Sequence, residues 1–399
     1  MAVRKGESRV LVAGGGIGGL TLALALAGHK FCSAVLERSS FAEETGAGIQ
    51  LGPNAARALR GLGVLEAIEA HAFKPEALEL FDGLWGRKLA TMPLGRAIED
   101  RYGAPYLTLH RADLHAALLQ ACQNQPPIEL EPRFEVTAVK QRDTTVTAFA
   151  TTGKVVEGSI LVAADGLWST LRARVDPHAA PRFAGQTAWR AILPRASLPS
   201  PFDAPVVGLW LGPGAHLVHY PVRGGKELNL VAVVEGGSAE RGWDRRGDEA
   251  ALLARFAHWA KSPQSLLVMA DGWRAWSLYR LPPLRRWSAG RIGLLGDAAH
   301  PVLPFLAQGA ALAIADAVTL AECVEACVTD PELAFFRYEA LRRKRAARVQ
   351  QLSARMGRIY HLGAVGRIAR NAVLQRRRPA KLLSFFDWLY RAKIKPRSD

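Results

Sequence analysis

Apolar residues fall along this chain in three rhythms, and each predicts a different kind of element. Continuous short runs come first: Arg9-Val10-Leu11-Val12-Ala13, then Cys32 to Leu36 ending in Glu37, then Ile160-Leu161-Val162-Ala163, then Arg291 to Leu295. Unbroken apolar runs of this length belong to strands covered on both faces. Alternating runs form the second rhythm. They occupy Ala77 to Met92 as a hairpin, and Phe183 to Ser277 as an antiparallel sheet with strands at Ala188–Leu193, Val206–Leu211, His216–Val222 and Leu228–Glu235. The third rhythm is helical. It covers Leu20 to Ala27, Ala55 to Ala70 with a break at Gly61-Leu62-Gly63, Ala112 to Gln123 headed by Asp113, Asp248 to Trp259, and Ala310 to Val328. Further strands are predicted at Leu107–Arg111, Phe134–Val139 and Thr145–Ala150. Strands alternating with helices, interrupted by a block of strands alone, describe an α/β chain with an inserted antiparallel sheet.

The first strand and helix are joined by Gly14-Gly15-Gly16-Ile17-Gly18-Gly19, with the spacing G-x-G-x-x-G. In a dinucleotide fold Gly14 permits the tight turn, Gly16 lets backbone approach a pyrophosphate, and Gly19 lets the helix pack on the strand. The phosphates would lie at the helix N-terminus, where free N–H groups favour negative charge. Glu37 stands about twenty residues on, where an acid binds ribose hydroxyls.

Two other strand ends carry acids. The run at 160–163 leads into Ala164-Asp165-Gly166, with Ser169 and Arg172 after it, and the run at 291–295 leads into Gly296-Asp297 and His300. Ligands of doubly wound sheets lie outside such carboxyl ends. Pro301 to Leu306 is a proline-bearing loop, and the helix that follows Gln308-Gly309 points its N-terminus at whatever that loop holds. Arg111 marks a strand-to-helix junction, where its fork of donors can reach a phosphate or a flavin edge. In the inserted sheet His216 and Tyr220 are four apart, so they share one face of their strand, and His219 faces the other way. The stretch Gly46 to Asn54 reads as a loop whose glycines allow backbone to approach a ligand.

Composition narrows the class. The chain has 399 residues and is 49% hydrophobic, enough for a large core and two or three domains. The charge-free stretch Val10 to Gly28 imitates a signal peptide or membrane span, but its glycines at nucleotide-binding spacing explain it better. Four cysteines, Cys32, Cys122, Cys323 and Cys327, form no C-x-x-C pair and no metal-ligand cluster, which suits a reducing cytoplasm. The net charge of +16 is concentrated from Arg337 onward, where 18 Lys or Arg face three acids. A cationic tail can bind anionic lipid, nucleic acid or a partner protein. Apolar residues at helical spacing (Leu341, Val349, Leu352, Met356, Ile359, Leu362) favour a solvated helical face instead, and no aromatic platform or groove-reading motif argues for nucleic acid.

Taken together, residues 14–19, 163–172 (AADGLWSTLR) and 296–309 (GDAAHPVLPFLAQG), with His110 to His115 (HRADLH), resemble the single-component flavoprotein aromatic hydroxylases. The resemblance extends to Asp387-Trp388-Leu389-Tyr390 and is nearest to members acting on salicylate, 3-hydroxybenzoate or 6-hydroxynicotinate. It implies a Rossmann-like FAD-binding domain (residues 1–74, 100–182 and 278–330), an inserted mainly antiparallel substrate-binding sheet (75–99 and 183–277) and basic C-terminal helices (331–399). It implies FAD contacts from Gly14, Gly16, Gly18, Gly19, Glu37, Arg38, Gln50, Arg111, Asp165, Asp297, Gly309 and Ala310. Pro304 would lie beside the flavin where oxygen reacts. Two departures from the family pattern are Ala315 in place of the glutamate before Asp316-Ala317, and Ala307 in place of a glycine.

The implied reaction takes NADH or NADPH to reduce FAD and uses O2 to hydroxylate an electron-rich aromatic ring in a monomer or homodimer. The protein must then orient the ring, exclude water and withdraw the phenolic proton. His216 is the base by residue type, Tyr220 a hydrogen-bond partner for the phenolate, and His300 a second candidate base. Trp189 and Arg190 are candidates for ring packing and carboxylate pairing. Rival readings are a flavoenzyme of other chemistry, such as a reductase or epoxidase, and a nucleotide-binding scaffold held at a membrane by the basic tail. A halogenase is disfavoured because Trp273 to Trp276 reads W-x-x-W rather than W-x-W-x-I-P, and a disulfide reductase because the redox cysteine pair is missing.

Overall fold

The computed structural model describes residues 9–41, 47–242 and 245–391. Gly46, the basic N-terminal patch and the last eight residues of the basic tail lie outside the described residues. The chain builds two main sheets. The first has six strands in the order 288–289, 292–294, 160–163, 9–13, 32–37 and 128–132, all parallel except the first pair. Its centre is the pairing of Val10–Ala13 with Ile160–Ala163, and the apolar runs are there because both faces are covered. Helix Ile17–Gly28 is buried almost all round and packs on helix Gly309–Ala326.

The second sheet has eight strands in the order 245–246, 274–280, 182–194, 227–235, 215–222, 206–212, 77–82 and 88–93. It is antiparallel except where 206–212 meets 77–82. Side chains alternate between two layers, as the pleat requires. One layer (Trp189, Trp210, Leu217, Leu230, Ala232) packs under Leu252 of helix Glu249–Arg255, Leu266 of helix Lys261–Met269, and Phe256 and Trp259 of the link between them. The other (Leu209, Leu211, Val233, Trp276, Leu278) faces Leu303, Phe305 and Tyr360, and so meets the loop that follows the first sheet's 292–294 strand.

Local details differ from the sequence expectation. The helix expected at 248–259 is shorter, Glu249–Arg255, a second helix at Lys261–Met269 follows beyond the expected span, and a strand at Ile128–Pro132 completes the first sheet although its alternation is weak. Helix Arg111–Gln123 carries Asp113 in its first turn, as expected, and is capped by His110, whose ring accepts the Ala112 N–H at 3.3 Å.

Helix Pro331–Tyr360 crosses from one sheet to the other, about 45 Å at 1.5 Å per residue. Its Phe335 and Tyr338 belong to the first core, and its Tyr360 lies against the second sheet. Helix Ala364–Gln375 then docks through Arg367, whose Nη1 is 2.7 Å from the buried Asp82 carboxylate, and Asn371, which also donates to it. Four arginines of the basic region are thus spent inward: Arg342 and Arg367 on carboxylates, and Arg345 and Arg370 chiefly on carbonyls. The expected solvated face accounts for only part of that charge.

Burial alone would raise the Asp82 carboxyl, but the Trp85 N–H, Asn371 and Arg367 outweigh it and hold it below its ordinary value. Asp82→Ala strands the Arg367 charge and is expected to cost about 3–5 kcal/mol, read from denaturant midpoints. In the native protein the contribution of this carboxylate is complete above its unfolded value of about 3.9 and is lost as pH falls through the lower folded one. A midpoint in Asp82→Ala equal to wild type at pH 7 refutes both statements.

Candidate active site

The glycine turn shows which of its residues serve the chain itself. Gly14 has φ of +111°, and a Cβ there would lie 2.5 Å from the Ala164 carbonyl oxygen, so the first strand can sit against the Asp-Gly strand end only with glycine. A Cβ on Gly19 would lie 1.9 Å from the Gly14 carbonyl, and one on Gly18 would meet Leu295 at 2.8 Å. Gly16 is different: a Cβ there would meet nothing within 4 Å. Its side faces open space at the N-terminus of helix 17–28, a cradle of the kind a pyrophosphate fills. Glu37 stands at the rim, accepting the Gly15 N–H at 2.6 Å and the Ser39 N–H at 2.8 Å, with Arg38 exposed beside it. His115, from the arginine-bearing helix, fixes the turn through a 2.8 Å contact with the Gly15 carbonyl oxygen.

The acidic strand ends are joined by a side chain that spacing did not single out. Arg172 is buried, and its guanidinium donates to the carbonyl oxygens of Ala298 (2.7 Å), Leu167 (2.9 Å), Asp297 (3.2 Å) and Gly166 (3.3 Å). It therefore ties the Asp-Gly segment to the Gly-Asp segment. Asp165 accepts the N–H groups of Thr170 and Leu171 on one oxygen, while its other oxygen is buried without a partner. Burial raises the carboxyls of Asp165 and Asp297, and for Asp297 the charges of His300, Arg111 and Arg172 oppose the rise. An orphaned acceptor at Asp165, a partly accessible acid at Asp297 and an open cradle at Gly16 fit the hydroxyls and phosphates of FAD.

Beyond Asp297 the loop is held by one helix. Gln350, Ser353 and Tyr360 donate to the carbonyl oxygens of Pro301 (3.0 Å), Leu303 (2.6 Å) and Phe305 (3.0 Å). At its base the His300 Nε2 lies 2.6 Å from one oxygen of Asp316, whose other oxygen accepts from Arg342 at 2.6 Å. Burial would raise Asp316, but His300 and Arg342 keep it low. His300, expected as a second base, gives its Nε2 to this ion pair and anchors the loop instead. Pro304 is exposed, and Gln308 caps helix 309–326 in position only, its side-chain oxygen being taken by Asn54 at 3.0 Å. No side chain caps the Gly309 end, which leaves its first N–H groups without a side-chain acceptor.

Across from the loop lies the inner layer of the second sheet. His216 is packed edge-on to Phe305 and Tyr360, with ring centroids 5.4 and 5.3 Å away. Burial, and then the neighbouring His361, push its pKa well below the ordinary value. Burial pushes Tyr220 up to about 12, with Arg190 and Gln50 opposing the rise. Gly48 approaches both Tyr220 and Asn229, its N–H donating to Asn229 Oδ1 at 2.7 Å, while Gln50 accepts from Tyr106 at 2.7 Å. The strand register sets Arg190 opposite Val231 and Val218 opposite the same residue, so Arg190 is level with the middle of the His216–Tyr220 interval. Its guanidinium lies 3.6 Å from the Trp276 ring centroid, its Nε is buried without a partner, and burial lowers its pKa to about 10.

Trp189 does not join this group. Adjacent residues on a strand point to opposite faces, so once Arg190 faces inward Trp189 packs in the outer layer, against the backbone of Gly247. His219 lies there too, among Phe202 and Trp210, with its pKa lowered to about 4 by burial.

A glycine turn at a helix N-terminus, with acids at two strand ends beside it and a second sheet that carries a histidine, a tyrosine and an arginine on one face, has the arrangement of a dinucleotide-binding flavoprotein. The family model described as FAD binding domain matches residues 7–353. The chain is 37% identical to 3-hydroxybenzoate 6-hydroxylase of Klebsiella oxytoca, covering 96% of both chains, and 35% identical to 6-hydroxynicotinate 3-monooxygenase of Bordetella bronchiseptica, covering 88% of this chain and 91% of the relative. The crystal structure of Klebsiella pneumoniae HpxO complexed with FAD and uric acid matches with a TM-score of 0.86 at 25% identity, over 97% of this chain and 98% of that one. The chain belongs to the FAD-dependent flavoprotein monooxygenases, in the aromatic hydroxylase class.

Because the space beside Gly16 is open, Gly16→Ala is expected to leave the melting temperature of the FAD-free protein unchanged while weakening FAD binding by about tenfold or more, a loss of about 1.4 kcal/mol. Flavin fluorescence titration measures it, and wild-type affinity in the variant would remove Gly16 from the cofactor site.

Proposed function

We propose that this enzyme hydroxylates a phenolic aromatic carboxylic acid of the 3-hydroxybenzoate type, using NADH or NADPH and O2. The single observation that carries the reading is the alignment of His216, Tyr220 and Arg190 on one face of the second sheet, opposite the loop 301–306. FAD, when bound, supplies the oxidising chemistry. The chain's own residues do the rest. Arg190 pairs with the substrate carboxylate in a dry setting, where a charge-assisted bond counts for more than in water. His216, kept neutral by burial, offers a lone pair to the phenolic proton, and Tyr220, which holds its own proton to about pH 12, donates to the resulting phenolate. The apolar residues Leu209, Leu211, Val233, Leu303 and Phe305 exclude water. Glu37, Arg111, Asp165, Asp297 and the N–H groups of Gly309 and Ala310 would hold the dinucleotide.

In this reading the six-stranded sheet is the cofactor half and the eight-stranded sheet the substrate half, with the boundaries given above. Among the described residues no helix is long and apolar enough to cross a membrane, and the four cysteines are free thiols. Both support a cytoplasmic enzyme.

The test is a screen of hydroxybenzoates and hydroxypyridine carboxylates for substrate-stimulated NAD(P)H oxidation with product analysis. Hydroxylated product from a phenolic carboxylate is expected, and stimulation by none of them sinks the proposal. Arg190→Met should raise KM for the carboxylated substrate by about 10- to 150-fold, the worth of a hydrogen bond to a charged group, with little change for the parent phenol. His216→Gln should keep NAD(P)H oxidation and lose product. Because its folded pKa is depressed, protonation of His216 begins only well below pH 6.5, so coupling in wild type should stay level from pH 8 down to that value. A fall in coupling centred near pH 6.5 contradicts the assignment.

A further inference from the structure

We propose that His361 and Glu235 carry the substrate's proton from His216 to solvent, forming a relay through the wall of the substrate sheet. The inference rests on the reading of His216 as the base. Its footing is a chain of three side chains. His216 Nδ1 lies 2.8 Å from His361 Nε2, and His361 Nδ1 lies 3.1 Å from Glu235 Oε1. The members grade from inside to outside: His216 is buried, the His361 side chain is 1% exposed and that of Glu235 is 53% exposed. The relay therefore begins at the substrate face and ends in water, with a sealed ring between.

Each member is set by a separate element. His216 is the second residue of strand Ala215–Val222, and Glu235 ends the neighbouring strand Glu227–Glu235. His361 is the residue at the C-terminal end of helix Pro331–Tyr360, and its carbonyl oxygen accepts the Gly214 N–H at 3.1 Å, one residue before the His216 strand begins. The ring is thus placed by backbone as well as by its own nitrogens.

The carboxylate at the outer end dictates the tautomers. A carboxylate only accepts, so His361 carries its proton on Nδ1 and leaves Nε2 as an acceptor. His216 then donates from Nδ1, and its lone pair is on Nε2, which no described residue hydrogen-bonds. The side-chain amide of Gln186 also stands 3.4 Å from His361 Nδ1, and the charged partner decides between them. Around the pair are Arg370 and Arg255, both of which disfavour a charged His361, and the Tyr360 hydroxyl, which is turned away to the Phe305 carbonyl. Arg255 also donates to the Glu235 carbonyl at 3.1 Å. Burial first, with those arginines, keeps His361 below its ordinary pKa against the pull of Glu235. Two neutral rings, each with one N–H and one lone pair, are what a relay needs.

The transfer balances. The phenolic O–H breaks, its electron pair stays on oxygen, and the proton binds His216 Nε2. The His216 Nδ1 proton passes to His361 Nε2, the His361 Nδ1 proton passes to Glu235, and Glu235 releases it to water. One proton enters and one leaves, with no change of oxidation state.

The test mixes oxidised, FAD-loaded enzyme with 3-hydroxybenzoate in the absence of NAD(P)H and follows proton release with an indicator dye at pH 7. Wild type should release up to one proton per flavin. Glu235→Gln should slow release by about a hundredfold in weak buffer, the scale of a lost proton-transfer group, and added acetate should restore it because this end of the relay is open to solvent. His361→Asn should slow release similarly with no restoration by buffer. Variant rates equal to wild type, or a slowed Glu235→Gln that acetate does not change, overturn the relay and leave the base reading standing. Release by His216→Gln at the wild-type rate, or none from wild type, overturns the base reading and the relay with it.

Discussion

The site depends on one buried guanidinium. Strands 160–163 and 292–294 run parallel as neighbours in the first sheet, but pairing alone does not bring the segments beyond them together. Arg172 does so by donating to four carbonyl oxygens, two on each segment. Burying a charge is costly unless its donors are satisfied, and here burial lowers the Arg172 pKa while Asp165 and Asp297 pull it back. The acids and the arginine therefore hold one another in place, and the groove keeps its shape because no member can leave alone.

Much of this was legible in the chain. The apolar runs and the glycine spacing located the first sheet and its turn because they obey strong local rules: a doubly covered strand must be apolar throughout, and Gly14 sits where any side chain would strike Ala164. Alternation likewise gave the second sheet and put His216 and Tyr220 on a shared face. The same rule, applied one step further, would have separated Trp189 from Arg190. What was not legible was partnership at long range. Nothing near His300 in the sequence signals that Asp316 and Arg342 will take its ring nitrogen, and nothing near His216 announces a residue 145 positions away. Arg172 was visible only as a residue after a motif. Its role comes from burial, which local pattern does not report.

The basic C-terminal region makes a related point about charge. Read as composition, it suggested an outward-facing surface. In the fold, Arg367 binds the buried end of a strand, Arg370 binds the last carbonyls of the preceding helix, and Arg345 holds the last described turn through the carbonyl oxygens of Trp388 and Leu389. A formal charge count says how many cations there are but not which way they point.

Helix 331–360 touches the cofactor loop four times, through Arg342 by way of Asp316 and directly through Gln350, Ser353 and Tyr360, and His361 follows at its end. From Arg342 to His361 the rise is about 28 Å, and each added residue would turn one end against the other by about 100°. The helix is in effect a ruler. Its length in residues is locked to the distance between the two sheets, so natural variation in chain length is expected to collect in surface loops, while the interval from Arg342 to His361 admits substitution but neither insertion nor deletion.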